Sequence, residues 1–299
     1  MLDSRDDDGL SNPDSKAGRL QRECLKLLRE HDANGDIPTN GRFLFYELEQ
    51  RGVVPKKYIG LVRTPLQDVS QATMRLRELG LVPWHWVQDE TRTLNEWRYA
   101  KTVLQYLLDT IPMARIDLWQ GKEPPLIICE SRATMGVLAD HAYQYLVPIT
   151  ATNGQCGGFI VTDIVPQLMG KRKVLYIGDY ELRGPADQIE ANTRRYIEKH
   201  TGRIFGDDEW VKVALTEEQV RDNPRLAALA ITKLDKRYKP PKPYEAIECE
   251  ALGQGVLVQI IRDTLDAMLP QPLDGVLERE RRQRRAATAA LQRLMRGRR

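Results

Sequence analysis

From residue 125 onward the chain repeats one pattern: a short apolar run, a helix-length segment, then another short apolar run. The runs are "PPLIICE", "VPITATNG", "KRKVLYIGD" and "EWVKVAL", and between them lie "SRATMGVLADHAYQYL", "GGFIVTDIVPQLMG" and "GPADQIEANTRRYIEKHTG". Nothing constrains the fold more. Near-continuous apolar strands are buried on both faces, and strands joined by helices run parallel. The pattern predicts an α/β unit, a parallel sheet with helices on both faces. After the proline-rich turn "YKPPKPY", one appended strand, "EAIECEAL", and one helix, "GVLVQIIRDTLDAML", are expected.

In an open parallel sheet, function collects at the carboxyl ends of the strands. Two of these strands end in acids: "LIIC" runs into Glu130, and "VLYIG" runs into Asp179 and Glu181. The two positions lie 49 residues apart, the length of two βα units, so their strands can be sheet neighbours. Three carboxylates brought to one rim repel each other and take up protons unless a cation sits among them. Oxygen-only ligands point to a hard ion, Mg²⁺ or Mn²⁺. The plainer alternative is a set of helix caps and surface acids. Asp187 and Glu190, on the following helix, are either further ligands or exposed helix acids. Arg183, inside the acidic turn, is placed to hold a phosphate. Lys171, Arg172 and Lys173 precede the third strand and belong to the opposite end of the sheet. Gly154, Gly157 and Gly158 could present amides to a phosphate or merely shape a turn.

Before the sheet, "SKAGRLQRECLKLLREH", "TNGRFLFYELEQRGVV" and "TPLQDVSQATMRLRELG" each carry a helical period, the second and third with cap and stop residues. Then "LVPWHWVQDETRT" offers two short β-like runs around a polar turn. Three helices and a small hairpin is the order of a winged helix-turn-helix, which binds DNA. Its third helix would enter the groove with Arg75 and Arg77 at phosphates or bases. A helical bundle that only covers the next domain is the other reading. His85, in the hairpin, and His141, on a helix, read as packing or surface residues. "NEWRYAKTVLQYLLDTIPMARIDLWQG" reads as a connecting helix whose stripe of Trp97, Val103, Leu104 and Leu107 is expected in the core.

The chain has 299 residues, 41% of them hydrophobic and 29% charged, enough for two soluble domains with proper cores. No apolar run approaches the ~18 residues of a membrane span. Residues 1–15 are expected to be an acidic, disordered lead-in without signal-peptide character. Cys24, Cys129, Cys156 and Cys249 are scattered, which indicates neither a zinc site nor a disulfide framework and suits a reducing cytoplasm. The net charge of +3 is uneven: from Val276 onward nine arginines face Glu278 and Glu280, a net +7, which leaves −4 for the rest. A basic tail suggests a polyanion, nucleic acid before membrane; a solvated helix end is the bland account.

A glutamate after a first strand and an acid-x-acid pair after a third resembles the Toprim fold of topoisomerases, primases and OLD-type nucleases. Preceded by a winged helix, the arrangement resembles the A subunit of topoisomerase VI, the meiotic double-strand-break protein, and the nuclease subunit of plasmid-defence complexes of the Wadjet type. The resemblance covers residues 16 to 270 and implies the following boundaries: 1–15 lead-in, 16–95 winged helix, 96–122 connecting helix, 123–270 Toprim-like unit, 271–299 basic tail. By it Glu130 is the lone glutamate, with Asp179 and Glu181 the metal-binding pair. The family's usual pair is Asp-x-Asp, so Glu181 is one methylene longer, and the following glycine is displaced to Gly184. The family also places a nucleophilic tyrosine on the winged helix. "RFLFYELEQRG" puts Tyr46 there, with Arg42 one turn earlier to lower a phenol pKa near 10. Equally, Tyr46 could be core and water the nucleophile. The implied activity is Mg²⁺-dependent cleavage of double-stranded DNA by a homodimer. No phosphate-binding G-x-x-x-x-G-K-[ST] motif occurs, so any ATPase would be a separate subunit. The alternative is a non-catalytic DNA-binding or replication-accessory protein that keeps the fold.

Overall fold

The computed structural model describes residues 9–59, 63–88, 97–153, 157–184, 188–235 and 238–296. Three helices open the chain: α1 (Lys16–Asn34), α2 (Gly41–Gln50) and α3 (Pro65–Glu78). Each begins at a side-chain cap, from Ser15, Asn40 and Thr64, which satisfies amides the first turn leaves free. Their apolar faces, including Leu25, Leu28, Leu44, Leu48, Val69 and Leu76, close one core. Of the lead-in, Leu10 packs against that core and the Ser11 amide donates to Gln21 Oε1 at 2.8 Å.

The expected hairpin takes another form. Pro83 has no amide to give a strand, and Trp84–Trp86 form a 3₁₀ turn closed by the Trp86 amide on the Pro83 carbonyl at 3.1 Å. β2 (Val87–Gln88) then pairs in parallel with β1 (Thr39–Asn40), ahead of α2. The second run of the expected hairpin falls in residues 89–96, outside the described residues. The connecting helix is also shorter than expected. Thr102 caps α4 (Val103–Thr110), which gives way before Pro112 to a 3₁₀ turn over Ile111–Met113. Trp97, Val103 and Leu107 are exposed, so the predicted core stripe faces outward on a surface helix of two turns.

The alternating runs then appear in order: β3 (Leu126–Cys129), α5 (Arg132–Gln144) and β4 (Ile149–Ala151). α6 (Gly157–Phe159) and α7 (Val165–Gln167) flank a π-helical turn over Ile160–Ile164, and β5 (Val174–Ile177) follows. β6 (Tyr180–Leu182), α8 (Ile189–Thr201) and β7 (Trp210–Ala214) complete the unit. Strands β4, β3, β5 and β7 form one parallel sheet in that order. Alternate residues face opposite cores, as a two-residue period requires. Ile127, Cys129, Leu175 and Ile177 meet α5 and a later helix; Leu126, Ile128, Val174 and Tyr176 meet the π-turn segment and α8. Each such buried apolar side chain contributes about 1.5–3 kcal/mol.

Two short helices, α9 (Glu217–Asp222) and α10 (Pro224–Ala227), lead to β8 (Ile231–Asp235) and β9 (Lys242–Ile247). With β6 these form a separate antiparallel sheet, ordered β6-β9-β8. Sequence reasoning expected one appended strand here and a direct turn from β5 into α8. A 3₁₀ turn at Cys249–Leu252 precedes α11 (Gln254–Met268), the second helix on the α5 face, and α12 (Leu273–Arg296). The basic tail is therefore helical. No helix among the described residues is long and apolar enough to cross a membrane.

Candidate functional site

The register of β3 and β5 sets the site. Cys129 lies opposite Ile177, and the Glu130 amide donates to the Ile177 carbonyl at 2.8 Å. The strands that end in acids are direct neighbours, so Glu130 sits beside Gly178 and Asp179. A Cβ at 178 would lie 2.6 Å from Glu130 Oε2 and 2.7 Å from the Tyr176 ring; only glycine lets the carboxylate come so close. Glu130 Oε2 accepts from the Asp179 amide at 3.1 Å. Burial first, then the charge of Asp179, pushes the Glu130 carboxyl up to about 8, with Glu181 adding to the shift. The Asp179 amide and Lys233 oppose it only in part.

The other two acids are already partnered. Asp179 Oδ1 accepts from the Cys249 amide at 3.0 Å, and Oδ2 from Lys233 Nζ at 2.6 Å. Glu181 lies in β6 opposite Ala246. Its Oε1 accepts from Arg183 at 2.5 Å and its Oε2 from the Ile189 amide at 2.5 Å. Glu181 thus caps α8, whose N-cap residue Gln188 makes no side-chain cap bond of its own. The helix-cap alternative describes this acid.

Arg183 does not stand open to a phosphate. It pairs with Glu181 and, at 2.7 Å, with Asp235, while its guanidinium lies 4.1 Å from the centre of the Tyr244 ring. Arg42 likewise points inward from α2, meeting Glu248 at 3.0 Å and Glu250 at 3.1 Å. Ser131, the cap of α5, donates to the same Glu250 oxygen at 2.8 Å. Burial works against the Arg42 guanidinium, but Glu250 and Glu248 hold its pKa above the usual value. Burial likewise raises the Glu248 carboxyl in spite of Arg42. Lys233 joins the two halves, 2.6 Å from Asp179 and 3.5 Å from Glu248. Burial disfavours its ammonium, yet Asp179 keeps its pKa raised.

Sequence reasoning missed Glu248, Glu250 and Lys233. The first two had a signal, a second acid-x-acid pair in "IECEAL". Lys233 had none, because only the pairing of β8 with β9 and of β9 with β6 brings it to the rim.

Tyr46 occupies the α2 face between Arg42 and Gln50, one helical turn from each. Gln50 Nε2 donates to the Ala251 carbonyl at 2.9 Å, so this face meets the Glu248–Leu252 segment. Tyr46 is 7% exposed, packs edge-on against Phe45 and makes no hydrogen bond to the three acids. Arg77 donates to the Val87 carbonyl at 3.0 Å and lies over Trp84, so it stabilises its own unit. Arg75 is outward, 3.8 Å from Glu78. Glu190 binds Trp210 Nε1 and Lys212 Nζ, each at 3.1 Å, and is neither a loose surface acid nor a neighbour of an open ligand set. Asp187, Gly154 and Cys156 lie outside the described residues.

Among the described residues no group of three or more His, Cys, Asp or Glu side chains is arranged to hold a metal ion. The donor chemistry still suits a hard cation at one point. Glu130 is a largely buried carboxyl among like charges, whereas Asp179 and Glu181 would join it only by releasing Lys233 and Arg183. Comparison of the chain with protein-family models, with curated proteins and with solved structures found no match.

Proposed function

We propose that this chain is a Mg²⁺- or Mn²⁺-dependent DNA-cleaving protein, a winged-helix unit joined to a Toprim-like unit as in the topoisomerase VI A subunit. One observation carries the reading: Glu130 is held beside Asp179 by strand pairing, and its carboxyl is raised to about 8 by burial and neighbouring charge. A divalent cation relieves that situation, and strongly shifted carboxyls mark functional sites. Glu130, with Asp179 and Glu181, would hold the ion, which when bound stabilises charge on the attacking and leaving oxygens of a phosphodiester. Lys233 and Arg183 would exchange their carboxylate partners for phosphate oxygens, Arg183 through its two-pronged guanidinium. Water is the favoured nucleophile, because Tyr46 is covered at the junction of α2 with the Glu248–Leu252 segment. A homodimer, and a separate ATP-driven subunit, belong to the same reading.

The second reading, a non-catalytic DNA-binding or accessory protein, is favoured by a different observation. Lys233 and Arg183 already neutralise two of the three acids. Supercoiled plasmid incubated with Mg²⁺ or Mn²⁺ separates the two. A cleaving protein nicks or linearises it, and Glu130→Gln lowers the rate by about 100-fold or more while duplex binding persists. Free product after protease treatment supports water; protein-linked ends support Tyr46. Wild-type protein that leaves the plasmid intact, or Glu130→Gln cutting at the wild-type rate, overturns the first reading.

A further inference from the structure

α12 holds the densest charge in the chain, and its anchor decides what that charge can meet. Val276 is buried, and Glu280, 3% exposed, is the fixing point. Glu280 Oε2 accepts from Arg115 Nε at 2.9 Å and from the Ile116 amide at 3.0 Å, and its Oε1 accepts from Arg284 at 2.6 Å. Arg115 in turn donates to the carbonyls of Tyr143 and Gln144, at the last turn of α5. α5 starts beside Glu130 and runs 13 residues. At 1.5 Å per residue that is about 20 Å, so α12 is anchored at the sheet edge opposite the carboxylate rim.

The other side of α12 is a ridge of arginines. At about 100° per residue Arg281, Arg282, Arg285, Arg293 and Arg296 share the face opposite Val276 and Glu280, and Arg279 borders it. All six are exposed. Glu278 offsets part of this charge, lying 3.3 Å from Arg281 and 3.2 Å from Arg282. Arg285, Arg293 and Arg296 have no side-chain partner among the described residues. The helix expected in the groove offers less, since Arg77 is committed to Val87 and Trp84 and Arg75 lies beside Glu78.

The geometry points to α12, rather than α3, as the main duplex-binding surface, an arginine ridge that takes the sugar–phosphate backbone without reading sequence. From Arg281 to Arg296 the ridge runs about 22 Å, some two thirds of one ~34 Å turn of DNA. Guanidinium groups pair with phosphate oxygens bidentately. A membrane-surface helix needs an apolar face free to insert beside its basic face. Among the large apolar side chains of α12 only Leu294 is exposed, which favours nucleic acid over lipid. The inference rests on the duplex partner proposed above but not on the cleavage chemistry, and a binding assay in EDTA lets the two fail separately.

The test is fluorescence anisotropy of a labelled duplex of about two turns, titrated across a KCl series, for wild type, Arg75→Gln, and a variant carrying Arg279→Gln, Arg282→Gln, Arg285→Gln and Arg293→Gln. Glutamine keeps helix propensity and none of these residues touches the Glu280 anchor, so circular dichroism should be unchanged. The fourfold variant should bind at least about 100-fold more weakly at low salt. The slope of log affinity against log salt should fall by about 0.9 for each phosphate that is no longer neutralised. Arg75→Gln should change affinity by less than about threefold. An unchanged slope in the fourfold variant, or a larger drop in affinity from Arg75→Gln, overturns the proposal. So does binding to phosphatidylserine vesicles with none to the duplex.

Discussion

The carboxylate rim and α12 both concentrate charge and handle it in opposite ways. At the rim, Glu181 and Asp235 are nearly buried, and both meet Arg183, two residues from the first and 52 from the second. On α12 the arginines of the outer face, unlike Arg284, are exposed to water. A charge that folding has committed contributes to stability, while a charge left in solvent is available to a partner. The formal balance of +3 does not distinguish the two. Substitution should. Arg183→Met removes the guanidinium that Glu181 and Asp235 share, and taking one partner from a buried ion pair costs about 3–5 kcal/mol. Urea denaturation at neutral pH measures this. A loss below about 1 kcal/mol would mean that the rim is as open as α12, and the contrast fails.

Glu130 sharpens the contrast, being the rim acid whose charge the protein least compensates. Its carboxyl titrates near 8 in the folded chain, against an ordinary value of about 4.3 when unfolded. The folded state therefore binds the extra proton between those values. Stability from this group is fully present below about 4.3 and is lost as pH rises through about 8. Glu130→Gln removes that dependence, so the variant should be more stable than wild type above pH 8, with the advantage vanishing toward pH 4. Thermal unfolding across that range reads it. A divalent cation bound at Glu130 would replace the proton, so Mg²⁺ should raise the wild-type melting temperature at pH 8, EDTA should reverse this, and neither should move Glu130→Gln. Parallel pH curves for the two proteins would show that burial at the rim does not perturb this carboxyl.

The parallel sheet was legible because four apolar runs spaced by helical segments leave few other arrangements, and its order followed the expected adjacency of β3 and β5. Glu130 and Asp179 were legible as strand-end acids for the same reason, whereas Glu181 lies within β6 of the antiparallel sheet. The long-range ion pairs around them were not. Arg42 reaches Glu248 across 206 residues, and Lys233 reaches Asp179 across 54, through pairings that local pattern does not encode. β6 was hidden because a three-residue strand with Glu181 at its centre carries no period, and its pairing with β9 is long-range. The stripe on α4 misled because apolar spacing reports a helix without reporting which neighbour covers it.

The smallest effects separate the contrast most finely, because α12 should answer to its own backbone and not to the rest of the protein. Arg285 lies mid-helix, three and four residues after Arg282 and Arg281, where like charges repel slightly. Arg296 is in the last turn, where a cation favours the helix dipole. Arg285→Gln should therefore leave the melting temperature unchanged or raise it, and Arg296→Gln should lower it, each by no more than about 2 °C. Both differences should fade in high salt, since solvent-exposed charges are screened over about 10 Å at 0.1 M. A larger or salt-insensitive change at Arg285 would place that side chain against protein rather than water, and the ridge would lose the property that makes it a surface for phosphate.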